Sequence, residues 1–422
     1  MKNIDPKNIR RKRLLFIARP FPPAPRVAAV RTYNVAKYLQ LAGWDVEVVT
    51  LDAALHPQKG NNNALEQLRA IGVKVRHTAN HWPFLAGGIH PSVKDRRPIY
   101  SKVAMKVADR VGIDDGIGWV RPALEACRDI EPGDVDVILA TGSPFFSFQI
   151  AYILSNRLRC PYVLDYRDLW NMHSHSTHFW PQRFLERRWL KNASKLLFIS
   201  RKCMEVMARW TGFGDKMCVI TNGFDSEEFA RIEGAPGERS VIVYAGNFFP
   251  PHRTPTPILE ALQRLQNGPA CPIFHYYGMA NDLLAAAAER LGVTKSIVLH
   301  GMTERTAVLQ AIKQANAAVV VTTVDRNGSL DDQGIVTGKL FEPLGLRTPV
   351  LLIAPYQNDA RKIVEDTDCG RAFTGDDVDG IAAFLMRVCQ GQERFSFAGV
   401  DRYSWRIIGG QLSETLKGVC QT

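Results

Sequence analysis

The sequence predicts an α/β chain folded as two doubly wound parallel sheets. Apolar strands alternate with helical patterns through the first half, and the same rhythm restarts at Val241. Between them, from Asn222-Gly223-Phe224-Asp225 to Ser240, runs a polar stretch rich in Gly, Glu and Arg that reads as an interdomain linker. Strands joined through helices by short loops run parallel, and a parallel sheet needs helices on both faces. The length agrees, because 422 residues exceed one ordinary core and suggest two domains or three.

The elements follow in order. Leu14–Ala18 is an apolar strand, followed by a proline-rich loop, Pro20–Pro25, and a helix, Ala28–Leu41, stopped at Gly43. Strand Val46–Leu51, a helix near Ala64–Ile71 and strand Val73–His77 come next, then a basic excursion of helical pattern. The alternation resumes with helix Arg121–Ile130, strand Val135–Ala140, helix Ser147–Leu158 and strand Tyr162–Tyr166. Helix Arg183–Asn192 and strand Lys195–Ser200 close the first half. The second half reads strand Val241–Gly246, helix Pro257–Gln266, strand Ile273–Tyr277, helix Asn281–Leu291 and strand Ile297–His300. Helix Thr303–Gln314 and strand Ala317–Thr322 precede a further helix-strand pair ending at Val350–Ala354. Two such sheets facing each other imply a cleft lined by the C-terminal ends of strands from both.

Composition bounds the function classes. Hydrophobic content of 46% and charged content of 23% belong to a soluble globular protein. No apolar run approaches the roughly 18–20 residues of a membrane span, and LLFIAR after the basic opening is too short for a secretory core. Eight scattered cysteines without a CxxC pair, several inside apolar runs, read as reduced thiols of a cytoplasmic protein. The formal charge of +11 suits anionic substrates, anionic headgroups or nucleic acid, or is simply a solvated basic face. Cations cluster at Lys2–Arg13 and Lys94–Arg110. The latter, with Trp82, Phe84 and Ile89 just before it, fits an interfacial helix and hence peripheral attachment to an anionic inner leaflet. P-loop, dinucleotide and nucleophile-elbow motifs are absent, which disfavours NTPases, dehydrogenases and serine hydrolases.

Residues 334–351, GIVTGKLFEPLGLRTPVL, carry the most chemistry. The turn Thr337-Gly338-Lys339 opens a helix with one acid, Glu342, before the chain runs out at Gly345–Pro349. Free N–H groups and an ammonium suit a phosphate, and a carboxylate one turn in suits a ribose diol. Gly246 and Asn247 end a strand where a missing Cβ admits a phosphate, and Arg253 follows with charge for a diphosphate. In the first half, VLDYRDLW sets Asp165, Arg167 and Asp168 at a strand end. Their carboxylates can polarise an acceptor hydroxyl and Arg167 can hold an anion, or the aspartates merely cap the loop or pair with Arg167. Arg26 and Arg31, in a loop without glycine, and Ser143, at another strand end, are placed to line the acceptor side. His173, His175 and His178 lack an acid or cysteine at ligand spacing, so a polar loop is expected rather than a metal site.

The 334–351 segment resembles the nucleotide-sugar site of retaining GT-B glycosyltransferases of the family 4 type, in the variant P-x-K-L-F-E-Y-L-x-x-x-x-P-V. Residues 14–50, GIGWVRPALEA (116–126), ATGSPFFSFQIA (140–151) and VLDYRDLW (163–170) are similar to that family's first-domain segments. LLFISRKCMEVM (196–207), VITNGFD (219–225) and VYAGNFF (243–249) continue the series in order, and the order and spacing together are specific. The resemblance implies a GT-B fold: residues 1–222 bind the acceptor and residues 223–395 the nucleotide sugar. Residues 396–422 then form a helix crossing back onto the first domain, or else an ordinary terminal helix of the second.

The resemblance further implies that Glu342 accepts from ribose hydroxyls and that Gly301 and Met302, after His300, border the nucleobase. Thr337, Gly338, Lys339, Gly246, Asn247 and Arg253 complete the donor set, with neither cofactor nor metal. Typical members carry E-x7-E, and here the first position is Gly334, with Asp331 or Asp332 nearby as substitutes. Pro343 must lie in the first helical turn or kink the helix. Related sequences often place histidine where Arg167 stands, so a histidine scheme does not carry over. In a front-face mechanism the leaving phosphate takes the acceptor proton, which makes Asp168 a positioning group.

The expected activity is metal-independent transfer of a sugar from a nucleoside-diphosphate sugar to a glycan or lipid-linked envelope precursor. A nucleotide-sugar epimerase of the same fold, a DNA-base glycosyltransferase and a non-catalytic sugar-binding paralogue are the alternatives. No nucleic-acid motif supports the DNA reading.

Overall fold

The computed structural model describes residues 10–24, 27–52, 55, 62–81, 114, 116–173, 180–234, 237, 240–266, 268, 271–280 and 282–421. They divide into two compact units. The first comprises residues up to Ile199, Cys203–Ile220 and Ile408–Thr422, and the second comprises Ser200–Lys202 and Thr221–Ile407. The basic excursion around Lys94–Arg110 lies outside the described residues, as does Arg26.

In the first unit the chain runs β1 (Arg13–Ile17), α1 (Val27–Leu41), β2 (Asp45–Leu51), α2 (Asn63–Ala70), β3 (Lys74–Thr78), α3 (Val120–Glu125) and β4 (Val137–Gly142). It continues through α4 (Phe146–Leu158), β5 (Tyr162–Tyr166), α5 (Trp180–Asn192), β6 (Lys195–Phe198), α6 (Arg201–Thr211) and β7 (Met217–Val219). All seven strands are parallel, in the order β3-β2-β1-β4-β5-β6-β7. The central strands are buried along their whole length, as helices on both faces require: β4, VILATG, and β5, YVLDY, have no exposed position. Strand order reverses between β1 and β4, where connections leave in opposite directions and open a crevice at the carboxyl ends. The three-residue β7 and helix α6 were not among the expected elements. Helix α3 is shorter than expected, because Ala126–Ile130 closes as successive turns.

In the second unit come α7 (Ser226–Phe229), β8 (Val241–Ala245), α8 (Thr256–Leu265), β9 (Ile273–Tyr277), α9 (Asp282–Arg290) and β10 (Ile297–Gly301). Then follow α10 (Arg305–Gln314), β11 (Ala317–Val321), α11 (Phe341–Leu346), β12 (Val350–Ile353), α12 (Asp359–Thr367), β13 (Gly370–Phe373) and α13 (Val378–Cys389). The parallel order β10-β9-β8-β11-β12-β13 again reverses at its first strand, between β8 and β11. One core, with Ile258, Leu262, Phe274 and Phe384, covers one face, and a second, with Phe224, Phe341, Leu344 and Val364, covers the other. The last helix, α14 (Trp405–Val419), starts in the second unit and belongs to the first from Ile408 onward. There Trp44 Nε1 donates to Ser413 Oγ at 2.9 Å, and Gly409 leaves no space for a Cβ against Tyr38.

All eight cysteines are free, and Cys127, Cys160, Cys203 and Cys369 are buried. Among the described residues, no helix is long and apolar enough to cross a membrane.

Candidate functional site

The reversal point of the second sheet gathers most of the donor residues named from the sequence. Strand β8 is followed at once by Gly246, whose φ of +132° is one that L side chains rarely adopt. A Cβ there would also collide with Nζ and Cε of Lys339, so glycine is required both for its backbone and for the approach of the lysine. Lys339 Nζ lies 3.4 Å from the Tyr244 hydroxyl and 4.8 Å above its ring. Arg253, in the loop after β8, donates from Nε to Thr322 O at 3.3 Å, just past the end of β11. That loop is closed by reciprocal backbone bonds between Phe249 and Arg253, of 2.8 and 3.0 Å.

Two cations, Lys339 and Arg253, thus lie close enough at this strand end to act on each other electrostatically. Burial, and secondarily the like charge of Arg253, bring Lys339 down to about 8 against the opposing pull of Glu342. An anion entering here relieves both strains at once. Asn247 faces sideways: its Oδ1 accepts from Met279 N at 2.9 Å, and its carbonyl accepts from Tyr244 OH at 3.1 Å. Gly246 N donates to Tyr277 O at 2.7 Å and Gly278 N to Gly301 O at 3.1 Å, so the ends of β8, β9 and β10 are locked together. Gly301, at φ +71°, leads to Met302, which is 77% exposed. Beside them His300 stacks on Tyr277 at 4.2 Å and meets His275 at 3.2 Å.

The expected single helix after Thr337 opens instead as a 3-10 turn, Gly338–Leu340, and continues as the six-residue α11. Thr337 caps the turn by accepting from Lys339 N at 3.4 Å. So short a helix sums few peptide dipoles, and the field at this end comes chiefly from Lys339 and Arg253. Pro343 sits in the first turn of α11, where its missing N–H breaks no helical bond. Glu342 is held by Arg305 of α10, whose Nη1 donates to Oε1 at 2.6 Å while Nε reaches Glu228 at 3.0 Å. Arg305 is not among the residues named from the sequence, and its pairing with Glu342 comes from the packing of α10 against α11. Arg305 engages Glu342 through Oε1, the oxygen on the side of α10. At Gly334, where the family pattern has its first glutamate, no side chain exists. Asp332 accepts from Ser329 N at 2.9 Å, and the Ser329 hydroxyl lies within hydrogen-bond reach of both Asp331 and Asp332, at 2.6 and 2.5 Å, so the two acids close their own loop.

In the first unit, two of the residues named for catalysis and acceptor binding, Arg31 and Asp165, meet at the end of β5. Arg31 donates to both oxygens of Asp165, at 2.6 and 3.1 Å, and to Ile220 O at 3.0 Å. Thr141 of β4 supplies a further bond to Asp165, at 2.8 Å. Asp165 therefore pairs with Arg31 rather than Arg167, and both partners are buried. Arg167 turns the other way: its Nε donates to Gly142 O at 2.8 Å and its Nη2 to the carbonyl of Ser143. Burial lowers its basicity, opposed by Asp168 and Asp165. Asp168 is exposed, and so is Ser143. His175 and His178 fall outside the described residues.

The loop after β5 rests on a carboxyl the sequence did not single out. Glu186 of α5 is fully buried and accepts from Tyr166 OH and from Asn171 Nδ2, each at 2.7 Å. Burial outweighs these bonds and pushes its carboxyl up to about 7.

Residues 28–223 match the family described as glycosyl transferase 4-like domain. A phosphatidyl-myo-inositol mannosyltransferase of Mycolicibacterium smegmatis is 25% identical over 230 residues, which are 51% of this chain and 56% of that protein. The chain thus aligns with little more than half the length of that relative. Among solved structures, the lipopolysaccharide outer core galactosyltransferase WaaB superposes with a TM-score of 0.63 at 13% identity, over 96% of this chain and 99% of that one. Anabaena Alr3699/HepE, solved with UDP and glucose, gives 0.62 at 15% identity over 97% and 100%. The fold is that of the GT-B glycosyltransferases.

Proposed function

We infer, from a glycosyl transferase 4-like domain carried on a GT-B frame, that this chain is a retaining glycosyltransferase using a nucleoside-diphosphate sugar. The observation that carries the reading is the approach of Lys339 to Gly246 beside Arg253, two cations at the reversal point of the second sheet. A diphosphate brings two negative charges to that point and leaves with more charge than it arrived with, so the same cations favour the departing group over the bound donor. Glu342 takes the ribose through the oxygen that Arg305 leaves over, and Gly301 and Met302 border the base. That HepE was solved with UDP and glucose supports a nucleotide sugar as the donor.

The first unit binds the acceptor, a hydroxyl on a glycan or a lipid-linked envelope precursor. The relative's name, which joins a lipid to mannosyl transfer, supports that class. Asp168, exposed at the end of β5, orients the hydroxyl, and the leaving phosphate takes its proton. Arg167, Ser143 and Arg26 border the acceptor, while Arg31 and Asp165 keep the strand end in place. Neither cofactor nor metal enters this scheme.

A thermal-shift panel of UDP-, GDP-, ADP- and dTDP-sugars tests the reading. A ligand at 100 times its dissociation constant stabilises a protein by about 2.7 kcal/mol. One nucleotide should stabilise the wild type and fail to stabilise Glu342→Ala. No shift with any of them removes the donor site. A shift without sugar transfer or hydrolysis favours a non-catalytic sugar-binding protein, the reading to which the engaged Asp331 and Asp332 lend weight.

A further inference from the structure

Helix α5 carries two large aromatic side chains, Trp180 and Phe184, on the side away from its core contacts. Its inward face carries Gln182, Glu186, Trp189 and Leu190, all buried. Trp189 lies flat against Trp170, with centroids 5.7 Å apart and planes 2° from parallel, and Glu186 is bonded to Tyr166 and Asn171. These contacts fix the rotation of the helix about its axis. At 100° per residue they turn Trp180 and Phe184, one turn apart, outward. Trp180 is 74% exposed and Phe184 65%.

The cations share that outward side. Arg187, Arg188 and Lys191 are exposed, and the only acid of the helix, Glu186, points inward. The flanking arginines are held in place: Arg188 sits 5.2 Å over the Tyr152 ring, and Arg187 sits 5.1 Å over Phe213 while donating to Trp210 O at 3.2 Å. Lys216 donates to the carbonyl of Lys191 at 2.8 Å, adding charge at the C-terminal end.

We propose that α5 is a docking face for an anionic lipid surface, with Trp180 and Phe184 at headgroup depth and Arg187, Arg188 and Lys191 on the lipid phosphates. Aromatic rings prefer the boundary between headgroups and acyl chains, and a cation at an anionic surface adds about fivefold in affinity. Charge complementarity selects an anionic surface here, because the outward side of α5 carries Arg187, Arg188 and Lys191 and its one acid, Glu186, is buried. A nucleic-acid strand needs a channel of stacking platforms, whereas α5 presents two exposed rings one turn apart. The proposal deepens the lipid-linked acceptor class named above, but it is read without donor or acceptor, so either can fail alone.

The full chain is floated with vesicles of phosphatidylcholine alone and of phosphatidylcholine with phosphatidylglycerol, at low and high salt. Wild type should bind the anionic vesicles at least tenfold more tightly than the neutral ones, and salt should weaken it. The double variant Trp180→Ser, Phe184→Ser should lose at least tenfold, and Arg188→Gln, Lys191→Gln should lose the salt dependence. The aromatic variant should keep the wild-type melting temperature, since Trp180 and Phe184 face solvent. Failure of wild type to float, or unchanged binding by the aromatic variant, overturns the proposal. So does a wild-type dimer in sedimentation that the aromatic variant abolishes, which assigns the face to a second copy. Salt-sensitive capture of single-stranded RNA in place of vesicles overturns it equally.

Discussion

Arg31 and Asp165 face each other through two hydrogen bonds, 2.6 and 3.1 Å long, with only 5% and 4% of their side chains exposed. A buried pair of this kind is far more sensitive to losing one partner than to losing both. Asp165→Asn should therefore destabilise the protein by about 3–5 kcal/mol, measured by denaturant unfolding. Asp168→Asn, at an exposed position, should change stability by no more than about 0.5 kcal/mol while reducing transfer. If Asp165→Asn instead kept full stability and lost only turnover, the pair would be reacting machinery rather than a clasp.

Gly246 is the position where the smallest substitution should do the most. Gly246→Ala meets a positive φ and the side chain of Lys339 together. The backbone strain alone costs on the order of 1–2 kcal/mol, and displacement of the lysine should cut nucleotide affinity by roughly tenfold or more. Calorimetric titration with the stabilising nucleotide checks this, with Gly410→Ala of α14 as the control, since a Cβ there meets open space away from the donor residues.

Lys339, brought down to about 8, predicts the pH dependence of donor binding. An anionic ligand favours the ammonium, which is present below that value and lost above it. Affinity should hold to about pH 8 and fall through pH 9, whereas Lys339→Arg, charged throughout, should bind with a flat profile. A flat wild-type profile would remove Lys339 from contact with the phosphates.

Glu186 gives the opposite kind of dependence, one of stability. Its folded carboxyl is raised to about 7, so the folded state holds a proton that the unfolded chain has already released. The stability it lends is full below the unfolded value near 4.5 and is lost as pH rises through about 7, a change of about 3 kcal/mol at most. Glu186→Gln should flatten this part of the melting-temperature profile between pH 5 and 8. If wild type and variant run parallel across that range, the carboxyl is ionised in the fold.

Most of the fold was legible because strands β1 to β6 and β8 to β12 are apolar runs punctuated by glycine, proline and helical periodicity. β7 escaped because three residues, MCV, make no pattern, and β13 because a four-residue strand opening on glycine reads as a turn. At the candidate site, Gly246, Lys339 and Glu342 stood out one by one, each by residue type and place in a motif. Their relationships did not: nothing along the chain announces that Lys339 occupies the space a Cβ on Gly246 would fill. Likewise Arg305 holds Glu342 across two helices, and Arg31 reaches Asp165 from α1 to β5. Partner choice is made by the packing of distant segments, and charged side chains of one type look alike until that packing is known. Glu186 was hidden for the same reason, in a run of arginines that reads as solvated.

The first unit closes only with Ile408–Thr422, which lie beyond the entire second unit in sequence. During synthesis the second sheet therefore emerges whole while the first still lacks the helix that covers Trp44 and Tyr38. A released chain truncated before Ile408 should yield a protease-resistant second unit attached to a first unit that is still cut. Residues Ile408–Thr422 are then the segment whose arrival completes the first unit.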